Sequence, residues 1–167
     1  IRQALEQLAG ASEAPSLQAL AEQAGQSPFH FQRSFVSLAG VTPKEFSQAL
    51  TLARAKQRLQ DAESVLEAAL NVGLSGPSLL HDLFLSLEGL TPGEFKAGGL
   101  GLQLQWCRFE TLLGPAWLAA SARGVMRLAF LSGSSVAEQI AAAGLPDAQW
   151  QEAPEALAPL AQEVQRR

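Results

Sequence analysis

The sequence has 167 residues, 47% hydrophobic and 17% charged, with 12 Lys+Arg against 16 Asp+Glu for a net charge of −4. It is too apolar for a disordered chain; its one cysteine, Cys107, excludes an internal disulfide framework, and with only the distant His30 and His81 it makes no zinc-binding set. The longest mainly apolar run, Leu112–Ala122, contains Gly114-Pro115 and falls short of the about 18 residues of a membrane span, so no membrane partner is expected.

Helical periodicity begins at once with Ile1, Leu5 and Leu8. The chain opens on this pattern without a methionine and stops at Arg166-Arg167 on another, which reads as an excised fragment. No signal-like segment opens it, so a cytoplasmic address is expected. Leu17, Leu20, Ala21 and Ala24 share a helical face, with Ser16 as N-cap and Gly25 as the C-terminal stop. Ser27 and Pro28 start a second helix, whose expected buried stripe is Phe31, Phe35 and Leu38, and Gly40 ends it. Thr42-Pro43-Lys44-Glu45 is a complete capping box. From it a long helix is expected through Phe46, Leu50, Ala53 and Leu59 to about Ala62.

The stretch Ser27–Phe46 then recurs as Gly76–Phe95, with nine of 20 paired positions identical, among them Pro28/Pro77, Phe35/Phe84, Gly40/Gly89 and Thr42-Pro43/Thr91-Pro92. Ser16–Gly25 matches Ser64–Gly73 in the same way. Two copies are too few for a solenoid and indicate a pair of matched helix-turn-helix modules.

After Phe95 the pattern changes. Lys96–Gly101 carries three glycines and reads as a linker and domain boundary. Leu102–Phe109 alternates with period two, as a strand does, and Ala116–Ser121 and Val125–Leu131 read as two further strands joined across Ala122-Arg123-Gly124. Ser134 or Ser135 caps a short helix to Ala143, Trp150 lies on an edge strand, and Pro154–Arg167 is helical. The expected fold is a mainly α N-terminal domain over 1–97, with modules at about 1–41 and 63–97 joined by a linker helix at about 43–62. A small α+β subdomain with an antiparallel sheet follows over 98–167.

A short turn between two helices, the second polar on its outer face, is the layout that enters a DNA major groove. With Phe31 and Phe35 inward, Phe29, Gln32 and Arg33 share the outer face. Arginine forks onto guanine, glutamine pairs with adenine and an aromatic ring packs on a thymine methyl. The same face is also what an ordinary solvated helix presents. Charge separates the two copies. From Ser27 to Gln60 the chain carries Arg33, Lys44, Arg54, Lys56 and Arg58 against Glu45, a net +4, whereas Asp61–Phe95 has no Lys or Arg and a net −6. The linker cations Arg54, Lys56 and Arg58 are therefore expected on DNA phosphates. In the second copy Ser78, His81 and Asp82 stand where the first has Phe29, Gln32 and Arg33. Asp82 makes that module the poorer DNA reader.

The repeated SLxGxTPxEF pattern over Ser16–Ala97 resembles the AraC-type DNA-binding domain. The resemblance implies double-stranded DNA as partner, with Phe29, Gln32 and Arg33 at the contacting positions of the first recognition helix and Ser78 and His81 at those of the second. Asp82 departs from the basic or neutral residue more usual there. The following stretch, notably GPAWLAASARGVMRLAF, resembles the small N-terminal subdomain of methylguanine-DNA methyltransferases. The two in succession are the arrangement of Ada-like alkylation-response regulators. Their methyl-accepting Pro-Cys-His-Arg motif and their cysteine-rich zinc module are absent from these residues. This chain is accordingly expected to be a monomeric regulator fragment without catalytic residues, metal or cofactor, from a parent methyltransferase.

Cys107 does not match that motif: it sits mid-strand between Trp106 and Arg108 without a nearby histidine to make a thiolate. Two alternatives to DNA reading stand beside it. The chain is half of a repair enzyme, leaving the surface of Trp117, Leu118 and the Pro154–Val164 helix partly uncovered; or its acidic second module docks a protein such as RNA polymerase.

Overall fold

The computed structural model describes residues 1–10 and 15–166. Residues 11–14, inside the expected first module, and Arg167, the last residue of the expected C-terminal helix, lie outside them. Two compact units result, Ile1–Leu83 and Phe84–Arg167. The division falls within a helix, ahead of the glycine run at Gly98–Gly101.

The first unit holds helices α1 (Arg2–Gly10), α2 (Leu17–Gln23), α3 (Pro28–Ala39), α4 (Pro43–Gln60), α5 (Val65–Asn71) and the start of α6 (Pro77–Glu88). The caps are those expected: Ser16 Oγ accepts from the Ala19 amide and Ser27 Oγ from the His30 amide, while Thr42 and Glu45 close a reciprocal box at the head of α4. Ala4, Leu8, Leu20, Ala21, Phe31 and Phe35 form the core, with Leu5, Ala39, Phe46 and Leu50 packed against it. Two expected core positions are corrected. Leu38 is 66% exposed because the α3 stripe runs Phe31–Phe35–Ala39, along the i+4 ridge, and Ala39 takes the place assigned to it. Ala53 is exposed as well. The second half of α4 buries Leu52 and Ala55 in its place, together with the expected Leu59, where the helix packs against α5.

The second unit contains the end of α6, α7 (Pro92–Lys96), strands β1 (Gln103–Thr111), β2 (Gly114–Ser121) and β3 (Gly124–Phe130), helix α8 (Val136–Ala142), strand β4 (Gln149–Glu152) and helix α9 (Pro154–Gln165). The sheet order is β3-β2-β1-β4. The sheet is mixed rather than antiparallel, because β4 runs parallel to β1. The chain returns through α8 to the start of β1, and two backbone bonds set the register, Gln149 N–H to Leu102 O at 2.9 Å and Ala153 N–H to Trp106 O at 2.8 Å. Alternation along a strand carries no information about its direction. Helix α9 lies on β1 and β2, where Cys107, Leu118, Ala120, Leu157 and Ala161 form a core. Trp117 and Leu118, expected at a partly uncovered surface, are 0% and 1% exposed. Apolar side chains left in solvent in this unit include Leu112 and Leu113 at the β1–β2 turn and Val125, Leu128, Phe130 and Leu160.

The glycine run is a packed corner and not an open linker. Gly98 N–H bonds Phe95 O and Gly99 N–H bonds Glu94 O, the paired bonds that close a helix through a left-handed residue, and Gly98 has φ 65°. Gly99 is buried with φ 80°, and a Cβ there would lie 2.9 Å from the Ala148 Cβ.

Candidate nucleic-acid interface

Ser27 and Pro28 set where α3 begins, and that start fixes its rotation. With Phe31 and Phe35 both 0% exposed against the core, Phe29, Gln32 and Arg33 face outward together. The Phe29 ring is 65% exposed. The Arg33 guanidinium carbon stands 5.8 Å from that ring's centroid, and the His30 ring meets it edge-on at 5.9 Å. A cation over an exposed ring is worth about 0.5–1 kcal/mol, enough to narrow the arginine's range of positions. Val36 and Ser37 extend the same face by two turns' spacing, and the five side chains line a shallow cleft of about 460 Å³. These two residues recur at i+7 and i+8 from Phe29, a signal that the sequence did contain.

The expected phosphate contacts are placed differently. Arg54 Nη2 donates to the Ala9 carbonyl at 2.6 Å, putting a cation at the C-terminal end of α1. Arg58 Nη1 pairs with Glu63 Oε1 at 3.2 Å, and Asn71 Nδ2 donates to the same carboxylate at 2.9 Å. Lys56 is half-buried on α4. On α6, Ser78, His81 and Asp82 are exposed, with His81 Nδ1 at 3.9 Å from Asp82 Oδ1.

A second cleft adjoins the outer face of α3 and shares Gln32 with it. Lys44, Ser47 and Gln48 of α4 line it over a floor that includes Leu17 and Pro43. The sequence counted Lys44 only as one of several cations and did not single out Ser47 or Gln48, because the three acquire a common neighbour only when α4 folds beside α3.

Cys107 is 2% exposed in the α9–sheet core. Burial pushes its thiol pKa up and the charge of Glu152 adds to the effect, the opposite of what a nucleophilic cysteine needs. Among the described residues no group of three or more His, Cys, Asp or Glu is placed to hold a metal, and no helix is long and apolar enough to cross a membrane.

A family model described as a helix-turn-helix domain matches residues 20–98. The chain is similar to the solved DNA-binding domain of the global transcriptional factor AdpA, which was determined in complex with a target DNA: TM-score 0.50, 30% identity, 57% of this chain and 85% of that one. The chain belongs to the AraC-type helix-turn-helix family. A Chromobacterium violaceum regulator with an AraC-type DNA-binding domain shares the fold at TM-score 0.50 over 60% of this chain and 95% of its own, with 24% identity. Among curated relatives, the bifunctional transcriptional activator/DNA repair enzyme Ada of Escherichia coli K12 is 34% identical over 110 residues. That match covers 66% of this chain and 31% of Ada, so the chain spans about a third of that relative's length.

Proposed function

We propose that this AraC-type chain is the DNA-reading part of an Ada-like alkylation-response regulator, and that the outer face of α3 enters the major groove of double-stranded DNA. One observation carries the reading: Phe29, Gln32 and Arg33 are exposed on a single face, with the Arg33 guanidinium held over the Phe29 ring. Arg33 then forks onto guanine O6 and N7, Gln32 pairs with adenine, and Phe29 packs on a thymine methyl. In this reading α2–α3 and α5–α6 are the two modules, α4 is the linker, and the α+β subdomain begins after Ala97. Methyl transfer belongs to the parent protein and not to Cys107, whose burial and raised pKa disfavour a thiolate.

The α6 face favours a second role. Asp82 is exposed beside Ser78 and His81, and no Lys or Arg lies between Asp61 and Phe95 to draw phosphate. That module suits contact with a protein such as RNA polymerase better than with DNA.

The test is fluorescence anisotropy with duplexes selected by the chain from a random pool. Arg33→Ala is expected to lose affinity for the selected duplex by about fivefold or more, in line with about 1–3 kcal/mol for a lost guanine fork. Unchanged affinity in that variant overturns the reading.

A further inference from the structure

Two of the three linker cations expected on DNA phosphates have partners within the chain. Arg54 bonds the Ala9 carbonyl and Arg58 pairs with Glu63. A helix that reads bases still needs phosphate contacts beside it to fix its register, since these supply most of the salt-dependent affinity. The cleft between α3 and α4, about 580 Å³ and open to solvent, has the chemistry for one. Lys44 is exposed at its rim, Ser47 and Gln48 follow on the same helix, and Gln32 forms the wall shared with the reading face. Among the described residues, no acidic side chain lines it. Glu45 is turned to the head of α4, where its carboxylate accepts 2.8 Å bonds from the Thr42 amide and hydroxyl. That carboxylate already occupies the α4 N-terminus, so the attraction for an anion comes from the side chains and not from the helix end.

We propose that this cleft seats a DNA backbone phosphate next to the base read by Gln32, with Lys44 supplying the charge and Ser47 and Gln48 the neutral hydrogen bonds. The inference rests on α3 as the reading helix and adds the contact that sets its register. Arg54 and Arg58 have structural roles in it, tying α1 to α4 and closing the α4–α5 joint.

The experiment measures binding of the whole chain to a fluorescein-labelled selected duplex and to a random-sequence duplex of equal length, across a salt series. Lys44→Ala is expected to weaken both duplexes by the same factor and to lower the slope of log affinity against log salt by about 0.9, the value for one released counterion. Lys44→Arg restores the slope, and Arg58→Ala leaves it unchanged. Salt-dependent binding whose slope is the same in Lys44→Ala as in the wild-type chain overturns this inference alone. A wild-type chain that binds neither duplex overturns the DNA-reading proposal together with it.

Discussion

Arg123, at the turn between β2 and β3, grips Glu94 of α7 through two hydrogen bonds of 2.8 Å each, one to either carboxylate oxygen. The same Glu94 Oε2 accepts from the Thr91 amide at 2.7 Å, so the helix cap and the hairpin share one carboxylate. Arg123 foremost, and then the cap, hold the Glu94 pKa at about 2. Glu45 occupies the matching place in the first copy, where the Thr42 bonds alone lower it. The repeat kept its capping box, and the α+β part attached an arginine to one copy.

This pair has a pH signature. Folded Glu94 titrates near 2 against 4.5 for the free carboxyl, so between these values the unfolded chain binds more protons. Its stabilisation is complete above pH 4.5 and drains away as pH falls toward 2. Arg123→Ala is expected to cost roughly 1–2 kcal/mol at pH 7, discounted because the arginine is half in solvent, and to make the acid limb of a urea-stability profile shallower. Arg123→Lys recovers only part, since an ammonium cannot fork. An acid limb unchanged in Arg123→Ala counts against the assignment.

The contrast between Gly99 and Gly101 tests the corner. Both have φ near 80°, but a Cβ at Gly99 would meet the Ala148 Cβ at 2.9 Å and the Leu145 Cβ at 3.1 Å, whereas at Gly101 nothing lies within 4 Å. Neither neighbouring atom can swing away. Gly101→Ala is expected to cost about 1 kcal/mol from backbone conformation alone. Gly99→Ala is expected to cost at least about 2 kcal/mol by chemical denaturation. Equal costs for the two substitutions would mean that the corner is not packed.

What was legible in the sequence was local. Ser16, Ser27, Thr42 and Thr91 announced helix starts because a cap and its amide partner lie within three residues. What was not legible depended on distant partners. Arg54 finds the Ala9 carbonyl 45 positions away and Arg123 finds Glu94 across 29, and no periodicity links either pair. Leu38 and Ala39 both fit the core stripe of α3 by spacing, and only the packing of Ala39 against the core separates them. For the candidate interface, the turn of α3 was readable from Phe31 and Phe35. The cleft beside it, which joins residues of two helices, was not.

Ala62 offers a gain in stability. Glu63 N–H bonds Arg58 O and Ala62 N–H bonds Leu59 O, each at 3.2 Å, the helix-closing pattern that Gly25 and Gly73 complete elsewhere. Here the left-handed residue is an alanine, at φ 68°. Ala62→Gly removes the clash of Cβ with the backbone and is expected to stabilise the helical unit by about 1 kcal/mol. A raised urea midpoint checks it, and a lowered one refutes the strain.

Cys107 is expected to behave as a core residue. Folded chain mixed with a disulfide reagent at pH 8 should react far more slowly than free cysteine and release its full thiol equivalent only on unfolding, because the group is buried and its pKa raised. Reaction at the rate of a free thiol would return it to the list of candidate nucleophiles.

The Phe29–Arg33 pair makes the sharpest claim about recognition. If the ring only fills space, removing it weakens DNA binding independently of Arg33. If it holds the guanidinium 5.8 Å above itself for a guanine, the two losses overlap. The measurement is a double-mutant cycle on the selected duplex with Phe29→Ala, Arg33→Ala and the pair. A coupling of about 0.5–1 kcal/mol is expected, the worth of a cation–π contact at an exposed site. Replacing thymine by uracil at the contacted base removes the methyl that Phe29 is proposed to touch. That change should weaken the wild-type chain and leave Phe29→Ala unaffected. Strict additivity in the cycle would show that Phe29 does not position Arg33, and an equal uracil effect in both proteins would show that the ring does not read the methyl.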